Sequence, residues 1–285
     1  VRFAAHCLDP GTAGATPGSV LFGEDVDAPE RIVPVSQCQM HPDWYQTGID
    51  LAVCVLEVPV TKVPIVPVLM GCEADLLQPG AELTIAGFGA SEATLDEWGE
   101  VITAGAGRKR YTAQTVTVVD VPANDVYMVG AQTGACFGDS GGPAMLQLPD
   151  GTWRVVGAAS TLHPDAPYDD ELCDYGTVYD LYWPEMPWFE SAIGVDLTPC
   201  HDSSGAWDPS PRCGGFPLAP HIGDGSWTKG CATPSIAGYA ATCGAPYSEG
   251  PWEPPPDPPP PPPPPPPEPP PPPPPPPEPP PPPPP

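Results

Sequence analysis

Three short motifs contain the residue types that nucleophilic attack on a carbonyl requires. They are AAHC at residues 4–7, DLA at residues 50–52 and GDSGGP at residues 138–143. A serine hydroxyl is a weak nucleophile until a base removes its proton, and a histidine serves as that base when a carboxylate holds it in one tautomer. Unrelated hydrolase folds place these residues in different chain orders, so the order is informative. We therefore predict that His6, Asp50 and Ser140 form a catalytic triad.

The motifs, their order and their spacing together resemble those of the trypsin/chymotrypsin-like serine proteases. Asp50 follows His6 by 44 residues and Ser140 follows Asp50 by 90, both close to the family spacing. GDSGGP is specific by itself, whereas AAHC and DLA are weak signals when taken alone. The resemblance covers residues 1 to about 198. It implies a serine endopeptidase that hydrolyses protein or peptide substrates through an acyl-enzyme intermediate, without a cofactor or a metal.

The resemblance also implies roles for residues near the triad. The backbone N–H groups of Gly138 and Ser140 would form the oxyanion hole, and glycine at 138 would allow the backbone to approach the substrate closely. Asp139 would pair with the α-amino group that zymogen cleavage creates. Ser160 would hydrogen-bond the triad aspartate and begin the strand that pairs with substrate. A serine at the end of an ordinary surface strand is the alternative for Ser160.

Three further positions predict specificity. Gly134 falls where trypsins carry the aspartate that binds lysine or arginine, so cleavage after a basic residue is not expected, because a buried cation would be unpaired. Leu162 and Thr177 fall where wide pockets have glycine. Their side chains should narrow the pocket and favour a small apolar residue before the scissile bond. A shift of one residue in the alignment would replace Thr177 by Gly176 and reopen the pocket.

The ten cysteines include no CxxC pair and no cysteine–histidine spacing typical of zinc sites. We therefore expect disulfides and an oxidising compartment, which means a secreted or cell-surface protein. The family resemblance implies the pairing of Cys136 with Cys173, which shapes the substrate pocket. Cys38 and Cys54 lie on strands that are expected to be neighbours, which would allow a second bridge.

The charge balance excludes some classes of partner. The chain has 9 basic and 36 acidic residues, a formal net charge of −27. Nucleic acid and anionic membrane surfaces attract basic patches, so neither is expected as a partner. The acidic cluster of Glu24, Asp25 and Asp27 could indicate a calcium loop, but its ligand spacing is unclear, and we interpret it as a solvated loop. The acidity is interpreted as promoting solubility.

Short runs rich in valine, isoleucine and threonine indicate an all-β fold up to about residue 182. With the family resemblance they predict two six-stranded antiparallel barrels and a short C-terminal helix near Trp188–Ile193. In the family, cysteines placed like Cys7 and Cys72 pair with residues upstream. We therefore expect the first barrel to be incomplete, with the chain beginning partway into the fold. The predicted strands are Arg31–Val35, Leu51–Val58, Leu83–Gly87, Thr115–Val121, Thr152–Ala159 and Thr177–Leu181.

The composition changes at about residue 199. Four cysteines within residues 199–249 predict a small disulfide-stapled module with three open connectivities. Residues 250–285 are almost pure proline and predict a disordered polyproline II spacer. The aromatic residues of the module could contact glycans or a cell surface, or they could form its core. The predicted organisation is therefore a protease domain over residues 1–198, the module and the spacer.

Two other functions remain open at this level. The fold could serve as a catalytically silent binding or adhesion protein, although an intact triad argues against that reading. Alternatively, the cysteine-rich module could be the functional end, with the protease domain processing its own chain.

Overall fold

The structure is a computed structural model that describes residues 1–12, 18–60, 66–149, 153–167, 172–198, 201–202, 205–206 and 208. Nearly all of the predicted cysteine-rich module and the whole proline spacer lie outside the described residues. The division into three domains therefore stays a prediction. The described strands are β1 (Arg2–Phe3), β2 (Ser19–Phe22), β3 (Arg31–Met40), β4 (Ala52–Leu56), β5 (Glu82–Gly87), β6 (Glu92–Leu95), β7 (Val101–Ala104), β8 (Arg110–Asp120), β9 (Asp125–Val129), β10 (Pro143–Gln147), β11 (Trp153–Leu162) and β12 (Gly176–Leu181).

The strands form one closed barrel and one open sheet. The barrel has the strand order β10-β11-β12-β9-β8-β5, and the sheet has the order β1-β4-β3-β2. Strands β6 and β7 form a separate hairpin. All pairings within these sheets are antiparallel. This confirms the predicted all-β architecture with a complete second barrel, an incomplete first barrel and a C-terminal helix.

The closed barrel has an apolar interior because its strands alternate inward and outward side chains. In β8, the buried Gln114 and Val116 alternate with the exposed Ala113, Thr115 and Thr117. This is the period-2 pattern of a strand that faces the core on one side. The interior is filled by large buried side chains that include Leu83, Ile85, Val126, Met128, Val156 and Leu181.

A second apolar cluster joins the open sheet to the barrel. Val53 comes from β4 of the sheet and Leu51 lies just before that strand. Ala158 comes from the barrel, and Met186 and Phe189 come from helix α2 (Met186–Ile193). Helix α2 begins two residues before the predicted helix. Burial of apolar side chains is worth about 25 cal/mol per Å² of apolar surface removed from water. This cluster fixes the position of the chain around residue 50 relative to the barrel.

Two disulfides lie within the described residues. Cys38 and Cys54 face each other directly on β3 and β4 and are bonded, and Cys136 is bonded to Cys173. Among the described cysteines, Cys7 is free. No described helix has the length and apolar character needed to cross a bilayer.

Candidate active site

Histidine and aspartate are brought together by the pairing of β1 with β4. Phe3 is opposite Ala52 in this ladder. His6 lies in a short 3₁₀ helix (Ala5–Cys7) just after β1, and Asp50 lies just before β4. Antiparallel pairing therefore places the residue after one strand beside the residue before the other.

The His6–Asp50 pair has the geometry that holds an imidazole in one tautomer. The Nδ1 atom of His6 is 2.5 Å from Oδ2 of Asp50, and the backbone N–H of His6 donates to Oδ1 of the same carboxylate at 2.8 Å. The Asp50 side chain is buried, whereas His6 is partly exposed. The hydrogen bond to Asp50, with a smaller contribution from Cys7, raises the pKa of the His6 imidazole above its ordinary value. A proton on Nδ1 leaves Nε2 as the acceptor that a general base needs.

Asp50 is held from the barrel side as well. The hydroxyl of Ser160, on β11, donates to Oδ2 of Asp50 at 2.8 Å, which is the contact that the family resemblance implies for Ser160. The backbone N–H of Asp50 donates to Oδ2 of Asp180 at 2.6 Å. Asp180 was not predicted from the sequence, because an aspartate within the strand sequence GTVYDL carries no motif. Its partner is set by tertiary structure alone.

Ser140 lies in the loop between β9 and β10 and is exposed to solvent. It lines a cleft of about 280 Å³ together with His6, so the predicted nucleophile and base share one cavity. Within the described residues, no hydrogen bond joins the His6 ring to the Ser140 hydroxyl. Such contacts are often long in unliganded enzymes and shorten when substrate binds. The remaining lining residues are Ala135, Cys136, Phe137, Asp139, Ala159, Ser160, Thr161, Leu162 and Thr177.

Glycine at 141 allows the serine loop to approach the histidine segment. Gly141 has a φ of +78°, and its N–H donates to Ala159 at 2.8 Å. A Cβ added to Gly141 would lie 2.6 Å from the Cβ of Phe3 and 2.8 Å from the backbone N of Ala4. Both the positive φ and the close approach exclude a side chain. The barrel loop is therefore packed directly on the residues that precede His6.

The loop also presents two backbone N–H groups beside Ser140. Gly138 has a φ of +93°. Among the described residues, neither the Gly138 nor the Ser140 N–H is bonded to a protein acceptor. Groups of this kind are suited to bind a developing oxyanion. The Asp139 carboxylate turns away from them and accepts the N–H groups of Gly89, at 2.7 Å, and of Cys136, at 2.9 Å.

Two of the predicted pocket positions line the cleft, and the third does not. Leu162 on β11 is opposite Thr177 on β12, and both line the cleft with Ser140. The hydroxyl of the buried Thr177 accepts the N–H of Ala135 at 3.1 Å. Gly134 instead lines a neighbouring cavity of about 270 Å³ that contains Asp139, and a Cβ on it would lie 2.3 Å from the carbonyl oxygen of Cys173.

The acidic cluster near residue 25 is paired with basic side chains. Lys109 is 2.5 Å from Glu24, and Arg108 is 3.4 Å from Asp25. The described residues contain no group of three or more metal-ligating side chains.

Comparison with known proteins identifies the family. The trypsin family model matches residues 3–167, which is more than half of the chain and includes all three motifs. The chain belongs to the trypsin family. No curated protein matches it. Family membership agrees with the closed barrel, the half-barrel and the helix that follows them, and it supports a serine protease-like function with protein or peptide substrates.

Proposed function

We propose that this trypsin-family chain is an active serine endopeptidase. One observation carries the proposal: His6, Asp50 and Ser140 come from distant parts of the sequence, yet the paired histidine and the serine line a single cleft. A merely structural role would not require an exposed serine beside a histidine that a buried carboxylate orients. The two described disulfides are compatible with an oxidising compartment, and we extend the proposal to a secreted or cell-surface location.

The proposed reaction follows from the roles of these groups. The Nε2 atom of His6 removes the proton from Ser140 as its Oγ attacks the scissile carbonyl. The oxyanion is bound by the N–H groups of Gly138 and Ser140. His6 then protonates the leaving amine, and a water activated by the same imidazole hydrolyses the acyl-enzyme. Asp50 remains ionised throughout and stabilises the imidazolium.

Asp139 would organise the serine loop. Its carboxylate joins the serine loop, through Cys136, to the separate loop at Gly89. From the family resemblance we infer that Asp139 couples an inserted α-amino group to the oxyanion hole.

We further propose that the enzyme cleaves after small apolar residues. Leu162 and Thr177 are direct cross-strand neighbours on β11 and β12, and both line the cleft that contains Ser140. Their side chains occupy space that two glycines would leave open to a large substrate side chain. Gly134 does not line this cleft and offers no carboxylate to a basic side chain.

The decisive experiment combines active-site labelling with hydrolysis. A fluorophosphonate probe should label the wild-type protein and fail to label Ser140→Ala. Peptide hydrolysis by Ser140→Ala or His6→Ala should fall by about a millionfold in kcat. An unchanged rate for Ser140→Ala would refute the proposal. The matched control is Ser203→Ala, which changes a serine outside the three motifs.

A further inference from the structure

The triad region contains a second buried carboxylate that the reaction above does not use. Asp180 lies on β12 and is only 2 % exposed. Its Oδ2 accepts the backbone N–H of Asp50 at 2.6 Å. The two carboxylates therefore belong to one connected group, in which Asp180 contacts the main chain of the residue whose side chain orients His6.

Ser160 holds the carboxylate of Asp50, whereas Asp180 holds its main chain. The Ser160 hydroxyl donates to Oδ2 of Asp50 at 2.8 Å, and a hydroxyl has only one proton to donate. Asp50 is therefore fixed at two points, its carboxylate by Ser160 on β11 and its backbone N–H by Asp180 on β12.

The surroundings of Asp180 make its negative charge unfavourable. Asp50 faces it from the chain before β4, Asp125 is its partner on β9, and Tyr182 follows it on the chain. Burial raises the pKa of Asp180 to about 7. The hydrogen bond from the Asp50 N–H opposes the rise, and the charges of Asp50 and Asp125 add to it. Arg2 on β1 lies over the Tyr182 ring at 5.2 Å. No described salt bridge includes Asp180.

A role in stability does not explain a carboxylate at this position. An asparagine would accept the Asp50 N–H through its oxygen, and it would carry no charge to bury. Residues that reduce stability in the interior are characteristic of functional sites.

We propose that Asp180 is a positioning residue for the reaction: it fixes the Asp50 backbone and places a second negative charge behind the His6–Asp50 pair. The inference rests on the proposed function. A negative charge near the pair favours the imidazolium that forms when His6 takes the Ser140 proton. Asp180 does not line the cleft, so it acts through Asp50 and not on the substrate.

The test is the pH profile of Asp180→Asn. Loss of the charge should move the acidic limb of kcat/KM to lower pH by up to about one unit. Above pH 8, kcat should fall by about three- to tenfold, with little change in KM, because the lost charge is worth at most about one pK unit. The matched control is Asp125→Asn, which removes the same charge from the neighbouring strand without contacting Asp50 or Ser160. An equal shift in both variants would overturn the inference.

The melting temperature of Asp180→Asn distinguishes this role from a structural one. Loss of a residue that stabilises the fold would lower Tm, whereas loss of an unfavourable buried charge raises it. A carboxyl whose pKa is raised from 3.8 to about 7 in the folded state makes the folded protein bind more protons than the unfolded chain between these values. Wild-type stability therefore loses this contribution as pH rises from 4 to 7. Asp180→Asn should have an equal Tm near pH 4 and a higher Tm at pH 8. A lower Tm at pH 8 would refute the inference.

The wild-type protein supplies a test that requires no variant. Carboxyl-labelled aspartate observed by NMR should show one buried carboxyl that titrates near neutral pH, and the His6 ring signal should change in the same range. Absence of both would refute the inference. Failure of the proposed function would give a different result, because Ser140→Ala would then not abolish hydrolysis. If hydrolysis depends on Ser140 but the pH profile of Asp180→Asn is unchanged, only the role of Asp180 is refuted.

Discussion

Leu162 and Thr177 are the residues that decide which substrate side chain enters the cleft. They face each other across β11 and β12, and both line the cavity that contains Ser140. Apolar pockets discriminate by about 1–3 kcal/mol per methylene, so the preference for small residues should be graded. The wild-type enzyme should therefore hydrolyse peptides with Ala or Val before the cut faster than those with Phe.

We expect the double variant Leu162→Gly with Thr177→Gly to reverse this order. Removing both side chains should raise kcat/KM for Phe or Tyr substrates by about ten- to a hundredfold relative to Ala substrates. The measurement is a panel of peptides that differ only in the residue before the scissile bond. Leu21→Gly, on the exposed strand β2, is the control for general destabilisation. A wild-type optimum for Arg or Lys would contradict the argument from Gly134, and one for Phe or Tyr would contradict the argument from the walls.

At the scale of elements, the approach of the serine loop to the histidine segment depends on Gly141. Gly141→Ala should lower kcat/KM by at least about tenfold, because the methyl group would overlap Phe3 and Ala4 and displace Ser140 from His6. Gly80→Ala is the matched control: Gly80 also has a positive φ, of +94°, but a Cβ there meets no atom within 4 Å. Equal activity losses in both variants would show that backbone strain, and not the approach, is responsible.

The barrel is attached to the 3₁₀ helix Gly71–Leu76 by a buried ion pair. The Nε and Nη2 atoms of Arg154, on β11, donate to the two carboxylate oxygens of Glu73 at 2.6 Å and 2.7 Å, and both side chains are fully buried. Removing one partner of a buried ion pair is strongly destabilising, because the remaining group stays buried and loses that attraction.

Glu73→Gln should therefore lower the free energy of unfolding by about 3–5 kcal/mol. Urea denaturation of the full chain measures this change. Glu24→Gln is the control, since Glu24 forms an exposed pair with Lys109, and pairs of that kind contribute at most about 1 kcal/mol. Similar losses in both variants would contradict the importance of burial.

At the scale of the whole molecule, two residues from the range predicted as the cysteine-rich module pack against the helix Gly71–Leu76. His201 is buried, and a Cβ on Gly71 would lie 2.4 Å from the carbonyl oxygen of Gly205. Burial, with a smaller contribution from the charge of Arg154, lowers the pKa of His201 to about 4. The chain just after residue 198 therefore packs on the same 3₁₀ helix that Arg154 holds.

The proline segment remains a prediction from composition, since it lies outside the described residues. A polyproline II segment over the 35 residues from 251 to 285 would extend roughly 100 Å at about 3.1 Å per residue. Small-angle scattering of the oxidised chain should show a compact particle with a long extension. A chain ending at residue 250 is the control and should lack it. Equal maximum dimensions for the two chains would contradict an extended spacer.

The sequence alone determined the family, the fold class and the candidate triad. The motifs AAHC, DLA and GDSGGP can be recognised in the sequence, because a reactive residue needs specific neighbours in the chain. Gly138 and Gly141, for example, adopt the positive φ values that the loop around Ser140 requires. The alternation in strands such as β8 is local as well. Six strands were not predicted. Strands β1, β2, β6 and β7 have only two to four residues each, β9 follows β8 closely, and β10 begins with Pro143, a residue that cannot donate to a strand ladder.

Only the tertiary structure decided which groups contact one another. The link from Asp180 to Asp50 spans 130 residues, and the link from Arg154 to Glu73 spans 81. Neither pair has a local pattern, because hydrogen bonds between distant strands depend on register and on the packing of one sheet against another. The same is true of Gly134: its sequence position indicates the pocket, but it packs against Cys173 and Gln114 and lines the neighbouring cavity.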